Sequence, residues 1–173
     1  EDGQHLLALA DQGLWRSTDQ GRTWSDVTPP ASVAKNQGMQ DMAFASGDPE
    51  HIVVAFGGQQ QKAKVVESTD GGRSWMDISA GLPSFAIKTL ISRRAATGDL
   101  YVGTSYGVYH RTGSSDWSLF GKGLPLSDVN FLHIDEPNGI LRAATLRGLW
   151  QIALPTPEKP LALISRDRDT VTC

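Results

Sequence analysis

A single cysteine, Cys173, is all the thiol in this 173-residue chain. An internal disulfide and a cysteine-based metal site are therefore excluded, and cysteine usage does not fix the compartment. No window approaches the roughly 18 consecutive apolar residues that a membrane helix needs. Basic residues are few as well: 16 Lys and Arg against 19 Asp and Glu give a formal charge of −3, and the longest basic run is Arg93-Arg94. Without a stripe of cations to track phosphates, nucleic acid is not expected as a partner. Histidines stand at 5, 51, 110 and 133 with no two at metal-ligand spacing, so neither a metal nor a cofactor is expected. Amphipathic helical periodicity is missing too. The chain opens with neither an initiating Met nor a signal peptide, and it reads as one that begins part-way through a longer polypeptide.

What the sequence does have is repetition. Ser17-Thr18-Asp19-Gln20-Gly21-Arg22-Thr23-Trp24 returns as Ser68-Thr69-Asp70-Gly71-Gly72-Arg73-Ser74-Trp75. Short apolar runs at Leu6 to Ala10, Ile52 to Phe56, Leu100 to Gly103 and Ile140 to Ala144 are each followed by a second run. Those second runs are Gly13-Leu14-Trp15, Val65-Val66, Gly107-Val108-Tyr109 and Gly148-Leu149-Trp150. Gly-Leu-Pro closes two copies, at Gly81 and Gly123. Runs this short, rich in β-branched and aromatic residues and separated by Gly, Pro, Asn and Asp, predict strands. A period of about 40–50 residues predicts an all-β propeller arc of four-stranded antiparallel blades. Residues 5–29 supply three strands, residues 39–83 and 86–125 a whole blade each, and residues 128–155 three strands of a closing blade. Such an arc does not close a ring alone. The expected partner is the remainder of the same propeller, or another chain, along the open blade edges. Residues 156–160 read as a proline-rich linker and 161–173 as the start of a following, truncated β domain.

The octets resemble the Asp-box, or bacterial neuraminidase, repeat, carried here by Ser17, Asp19, Gly21 and Trp24 and by Ser68, Asp70, Gly72 and Trp75. A third copy ending in Trp117 has His110, Thr112 and Ser114 where Ser, Asp and Gly belong. The stretch from Gly123 to Trp150 resembles the last blade of sortilin-like and xyloglucanase-like propellers in large bacterial surface proteins. That resemblance implies a secreted or cell-surface location, export by type IX secretion and a following immunoglobulin-like domain of the polycystic-kidney-disease type.

The Asp box contains an acid, but its chemistry is local: the carboxylate accepts N–H groups of its own turn and the Trp packs beneath. No catalytic pair is assigned, and the chain alone reads as leaning away from an enzyme. Asp41 and Asp128, each at the opening of a first strand, are the candidate acids. Sialidase-type chemistry would need converging residues of the kind found at Arg93, Arg94, Arg142 and Tyr109, without the flanking motif. Asp167 and Asp169 alternate with arginines and read as a charged strand. The more informative feature is a pair of long loops expected on one propeller face. They gather Lys35, Asn36, Gln37, Gln59, Gln60, Gln61 and Lys62, with Tyr106 and Arg147 in neighbouring loops, as a ligand-binding patch for a glycan or a protein surface. The resulting expectation is a non-catalytic extracellular binding or adhesion module. The alternatives are part of a glycoside hydrolase, xyloglucanase-like or sialidase-like, whose acids lie mostly elsewhere, and a structural piece of a larger assembly.

Overall fold

The computed structural model describes residues 3–10, 13–34, 38–58, 63–94 and 98–155. Within them the chain forms fourteen strands in four separate antiparallel sheets. The first sheet holds β1 (Leu6–Ala10), β2 (Gly13–Ser17) and β3 (Ser25–Asp26); the second holds β4 (Met39–Phe44), β5 (Ile52–Phe56), β6 (Val65–Ser68) and β7 (Met76–Asp77). The third holds β8 (Ile87–Ser92), β9 (Leu100–Thr104), β10 (Gly107–Arg111) and β11 (Ser118–Phe120), and the last β12 (Val129–Asp135), β13 (Ile140–Thr145) and β14 (Gly148–Ala153). Every sheet is a plain meander, so sequence neighbours are also spatial neighbours. The expected strand count of three, four, four and three is the observed one, and the four sheets form an arc rather than a closed ring. The linker and the residues that follow it, 156–173, lie outside the described residues.

The apolar runs have no polar alternation because the middle sheets are covered on both faces. Along β5, Val53 and Ala55 point to one side and join Ile87, Leu90, Leu100 and Val102 of the third sheet. Ile52, Val54 and Phe56 point to the other side, into a cluster with Leu14, against which Leu7 and Leu9 of the first sheet pack. Tyr101 and Val108 then turn to Val129, Leu132, Leu141 and Ala143 of the last sheet. Gly103 marks the closest approach: a Cβ there would stand 2.7 Å from Thr89 Cγ2 and 2.8 Å from Val129 Cγ1.

The first strands of the second, third and last sheets share an irregularity that sequence patterning did not show. The ladder slips at Met39/Asp41, Ile87/Thr89 and Val129/Phe131, each time leaving one extra residue: Gln40, Lys88 and Asn130. A bulge bends its strand and increases the local twist. Repeated at one position, it curves β4, β8 and β12 alike.

Each junction also holds a buried arginine. Arg16 of the first sheet pairs with Glu50 of the second. Arg111 of the third lies 4.0 Å from Glu67 of the second. The Arg93 guanidinium donates to the Pro155 carbonyl at 2.6 Å, beyond the last sheet. Paired buried charges of this kind specify the junction geometry more than they add stability.

Candidate functional site

The two octets fold into turns with one hydrogen-bond pattern. The Ser17 hydroxyl donates to Asp19 Oδ1 at 2.8 Å and accepts the Gly21 N–H at 2.8 Å; Asp19 Oδ1 accepts the Thr23 N–H at 2.9 Å. In the second octet the same three bonds join Ser68, Asp70, Gly72 and Ser74, each at 2.8 Å. Both Trp side chains donate Nε1–H to the carbonyl of the turn glycine, Trp24 to Gly21 and Trp75 to Gly72. Those glycines sit at φ +85° and +93°, the left-handed region that a side chain disfavours.

Hydrogen bonds to the residue four positions on hold each carboxyl far down: the Thr23 N–H lowers Asp19 to about 2, and the Ser74 hydroxyl lowers Asp70 to about 2, both from 3.8. A depressed folded-state pKa contributes stability that is complete above the unfolded value and disappears as pH falls through the folded one. Stability is therefore expected to fall between pH 3.8 and about 2 as these two turns protonate. An Asp19→Asn, Asp70→Asn double variant should be less stable at neutral pH and flatter across that window. Urea midpoints at a series of pH values measure both effects; an unchanged acid slope would refute the assignment.

The third copy is built differently. His110 stacks on Tyr101 at 4.4 Å and the Thr112 N–H donates to the Ser115 hydroxyl oxygen at 3.2 Å. Trp117 leaves its own hairpin, donating Nε1–H to the Ile78 carbonyl of the second sheet at 2.7 Å. Tyr101 is buried beside Asp99, and burial pushes its phenol up to about 12.

The octet turns project from one face of the arc and the loop-rich surface from the other. On the octet face, the Gln20 N–H reaches the Gln4 carbonyl and the Gly71 N–H the Glu50 carbonyl. On the opposite face, each connector between sheets is tied to the turn between the second and third strands of a blade. The bonds run from Gly57 N–H to Gly38, Ser105 N–H to Ala86, Gly107 N–H to Ser127 and Leu146 N–H to Asp128.

Of the patch expected on that face, Lys35, Asn36, Gln37, Gln59, Gln60, Gln61 and Lys62 lie outside the described residues. Their flanks are anchored, with Ala34 and Ala63 buried in the core between the first and second sheets. Tyr106 and Arg147 occupy equivalent places in two identical turns. Thr104 Oγ1 accepts the Tyr106 N–H and donates to Gly107 O, and Thr145 Oγ1 does the same for Arg147 and Gly148.

Sequence reasoning missed the neighbour that Tyr106 meets. Phe85, in the short connector between the second and third sheets, lies with its ring 4.9 Å from that of Tyr106, tilted by 34°. Beneath it, Lys64 donates to the Phe85 carbonyl at 2.8 Å and to the Gly58 carbonyl at 3.3 Å, and burial lowers the Lys64 pKa.

The candidate acids are both engaged. Asp41 accepts the Met42 N–H and, across the junction, the Leu90 N–H at 2.7 Å. Asp128 pairs with Lys88 at 2.8 Å. Of the four sialidase-type candidates, the three arginines gather around Asp135 and Glu136 at the junction of the third and last sheets, each already engaged by one of those acids, while Tyr109 belongs to another cluster. Arg93 is buried at a junction, Arg142 pairs with Asp135 on the last sheet, the Arg94 N–H donates to Glu136, and Tyr109 packs on the core between the second and third sheets.

No family model matches the chain. The chain is 31% identical over 112 residues to a xyloglucanase of Hypocrea jecorina (strain QM6a), a match covering 63% of this chain and 13% of that protein. Among solved structures, an ancestral GH74 enzyme matches with TM-score 0.61 at 19% identity, over 83% of this chain and 20% of that one. The GH74 xyloglucanase from Xanthomonas campestris matches with TM-score 0.64 at 14% identity, over 90% and 29%. YCF48 bound to D1 peptide also matches with TM-score 0.64, at 18% identity over 90% and 50%. At these identities the solved structures show the fold, a segment of a β-propeller, and the chain spans half or less of each of these relatives.

Proposed function

We propose that this chain is a portion of the propeller of an extracellular glycoside hydrolase of the xyloglucanase kind, with its catalytic acids mostly outside these residues. The 31% identity over 112 residues to a xyloglucanase carries the reading. It favours the hydrolase alternative over the purely non-catalytic module. Within the chain, Asp41 and Asp128 spend their carboxylates on a backbone N–H and a lysine, which suits scaffold roles. The contribution left to this arc is to bind the polysaccharide through its loop face.

The test is affinity electrophoresis of the full chain in gels containing xyloglucan, mixed-linkage glucan or no polysaccharide, with reducing-sugar release assayed in parallel. Retardation by xyloglucan without sugar release is the expected result. Mobility unchanged by every glucan would sink the reading, and release of sugar by the chain alone would return Asp41 and Asp128 to the catalytic role.

A structural role within a larger assembly is favoured by one observation. A Cβ at Gly81 would meet Trp117 of the next sheet, whereas a Cβ at its counterpart Gly123 would meet nothing within 4 Å among the described residues. Beside it the last sheet shows Phe131 and Leu149, 59% and 72% exposed and aligned through Ala144, in the row that Thr89, Gly103 and Val108 form on the third sheet. The partner that fits is one more propeller sheet laid on that face, as the last sheet lies on the third.

A further inference from the structure

We propose that Phe85 and Tyr106 form a stacking platform for one pyranose ring of a neutral glucan chain, with Lys88 and Asn130, the extra residues of the β8 and β12 bulges, as hydroxyl-binding groups. This rests on the glucan-binding reading above and assigns it a place on the loop face.

A pyranose ring has an apolar C–H face and a rim of hydroxyls, so it is held by an aromatic surface with a few polar groups alongside. The pair is assembled from segments 21 residues apart and is rigidly supported on both sides. Lys64 fixes the Phe85 carbonyl, the Ser105 N–H bonds the Ala86 carbonyl, and Thr104 Oγ1 accepts the Tyr106 N–H. Support of this kind lowers the ordering cost of binding. The turn itself does not demand an aromatic residue, since the identical turn one blade on carries Arg147 at the Tyr106 position. Yet Tyr106 is 44% exposed, with its ring held against Phe85 rather than folded into the core.

The polar groups set the ligand class. Lys88 is the extra residue of its bulge, three positions after Phe85. Its ammonium donates to Asn130 Oδ1 at 3.3 Å and pairs with Asp128 at 2.8 Å. Because Asp128 balances that charge, the cluster offers both donors and acceptors with no net positive field. Hydroxyls suit such a cluster, and a uronic acid carboxylate does not.

The test is calorimetric titration of the full chain with xyloglucan-derived oligosaccharides, repeated with Tyr106→Ala and Tyr106→Phe, with thermal unfolding recorded for each. Losing one stacked ring should weaken binding about tenfold. Tyr106→Phe should restore affinity to within about twofold of the parent, since the ring face supplies the stacking contact. Unfolding midpoints should be the same in all three proteins. If the parent binds and Tyr106→Ala binds equally well, the platform is wrong while the glucan-binding reading stands. If the parent binds no oligosaccharide, both fall together. Tighter binding of a polygalacturonate fragment than of xyloglucan fragments would overturn the neutral-ligand assignment.

Discussion

Replacing Trp117 by alanine is expected to cost about 3–5 kcal/mol, the range for deleting a buried aromatic side chain. Trp117 is 3% exposed and belongs to the cluster shared by the second and third sheets. It also contributes two hydrogen bonds across that junction, its Nε1–H to the Ile78 carbonyl at 2.7 Å and its backbone N–H to the Ala80 carbonyl at 2.9 Å. For a domain of this size the loss corresponds to a melting temperature lower by about 10 °C. Trp117→Phe separates the two contributions. It retains most of the ring area but strands the Ile78 carbonyl, for a cost of about 1–3 kcal/mol. Thermal and urea unfolding of both variants check the order alanine, then phenylalanine, then parent. A phenylalanine variant as stable as the parent would mean that the junction does not use the indole N–H.

Gly103→Val should be nearly as severe, for a different reason. The site has no unusual φ; it has no room, because Thr89 and Val129 close over it from the same and the neighbouring sheet. Overfilling a packed contact costs about 1–3 kcal/mol when neighbours can yield. Here the obstruction includes Val129 Cβ at 3.0 Å, which cannot move without its strand. The expected result is a destabilised protein in which the last sheet has lifted from the third. Adding Val129→Ala to Gly103→Ala should recover part of the loss, and a double-mutant cycle measures the coupling. Strictly additive effects would place the contact elsewhere.

Much of the arc was legible in the sequence because propeller strands are short and punctuated. The runs Ile52 to Phe56 and Leu100 to Gly103 are bounded by turn residues, and they became β5 and β9 almost residue for residue. The octets were legible for the same reason: the bonds linking Ser, Asp and the residue four positions on are local. What stayed hidden is what depends on two distant segments meeting. A one-residue bulge leaves no mark in Met39-Gln40-Asp41. Phe85, near the end of the connector between β7 and β8, gains meaning only once Tyr106 arrives beside it. An aromatic residue between Ser84 and Ala86, in a segment otherwise built to turn, was the one available signal. Trp117 illustrates the reverse case. Its position in the repeat is that of the octet tryptophans, but the Ser, Asp and Gly positions before it are degraded, and the indole reaches the neighbouring sheet instead.

Because each described sheet packs on those beside it, the arc is expected to unfold as a one-dimensional array, in which a unit with two neighbours outlasts a unit with one. The second and third sheets are the units with two, through their contacts on both faces. Amide exchange protection is therefore expected to rise from the outer sheets towards the middle, with the central pair holding as the outer sheets fray. The connector carrying Phe85 and the turn carrying Tyr106 both spring from that central pair. That aromatic pair is accordingly expected to sit on the part of the array that opens last.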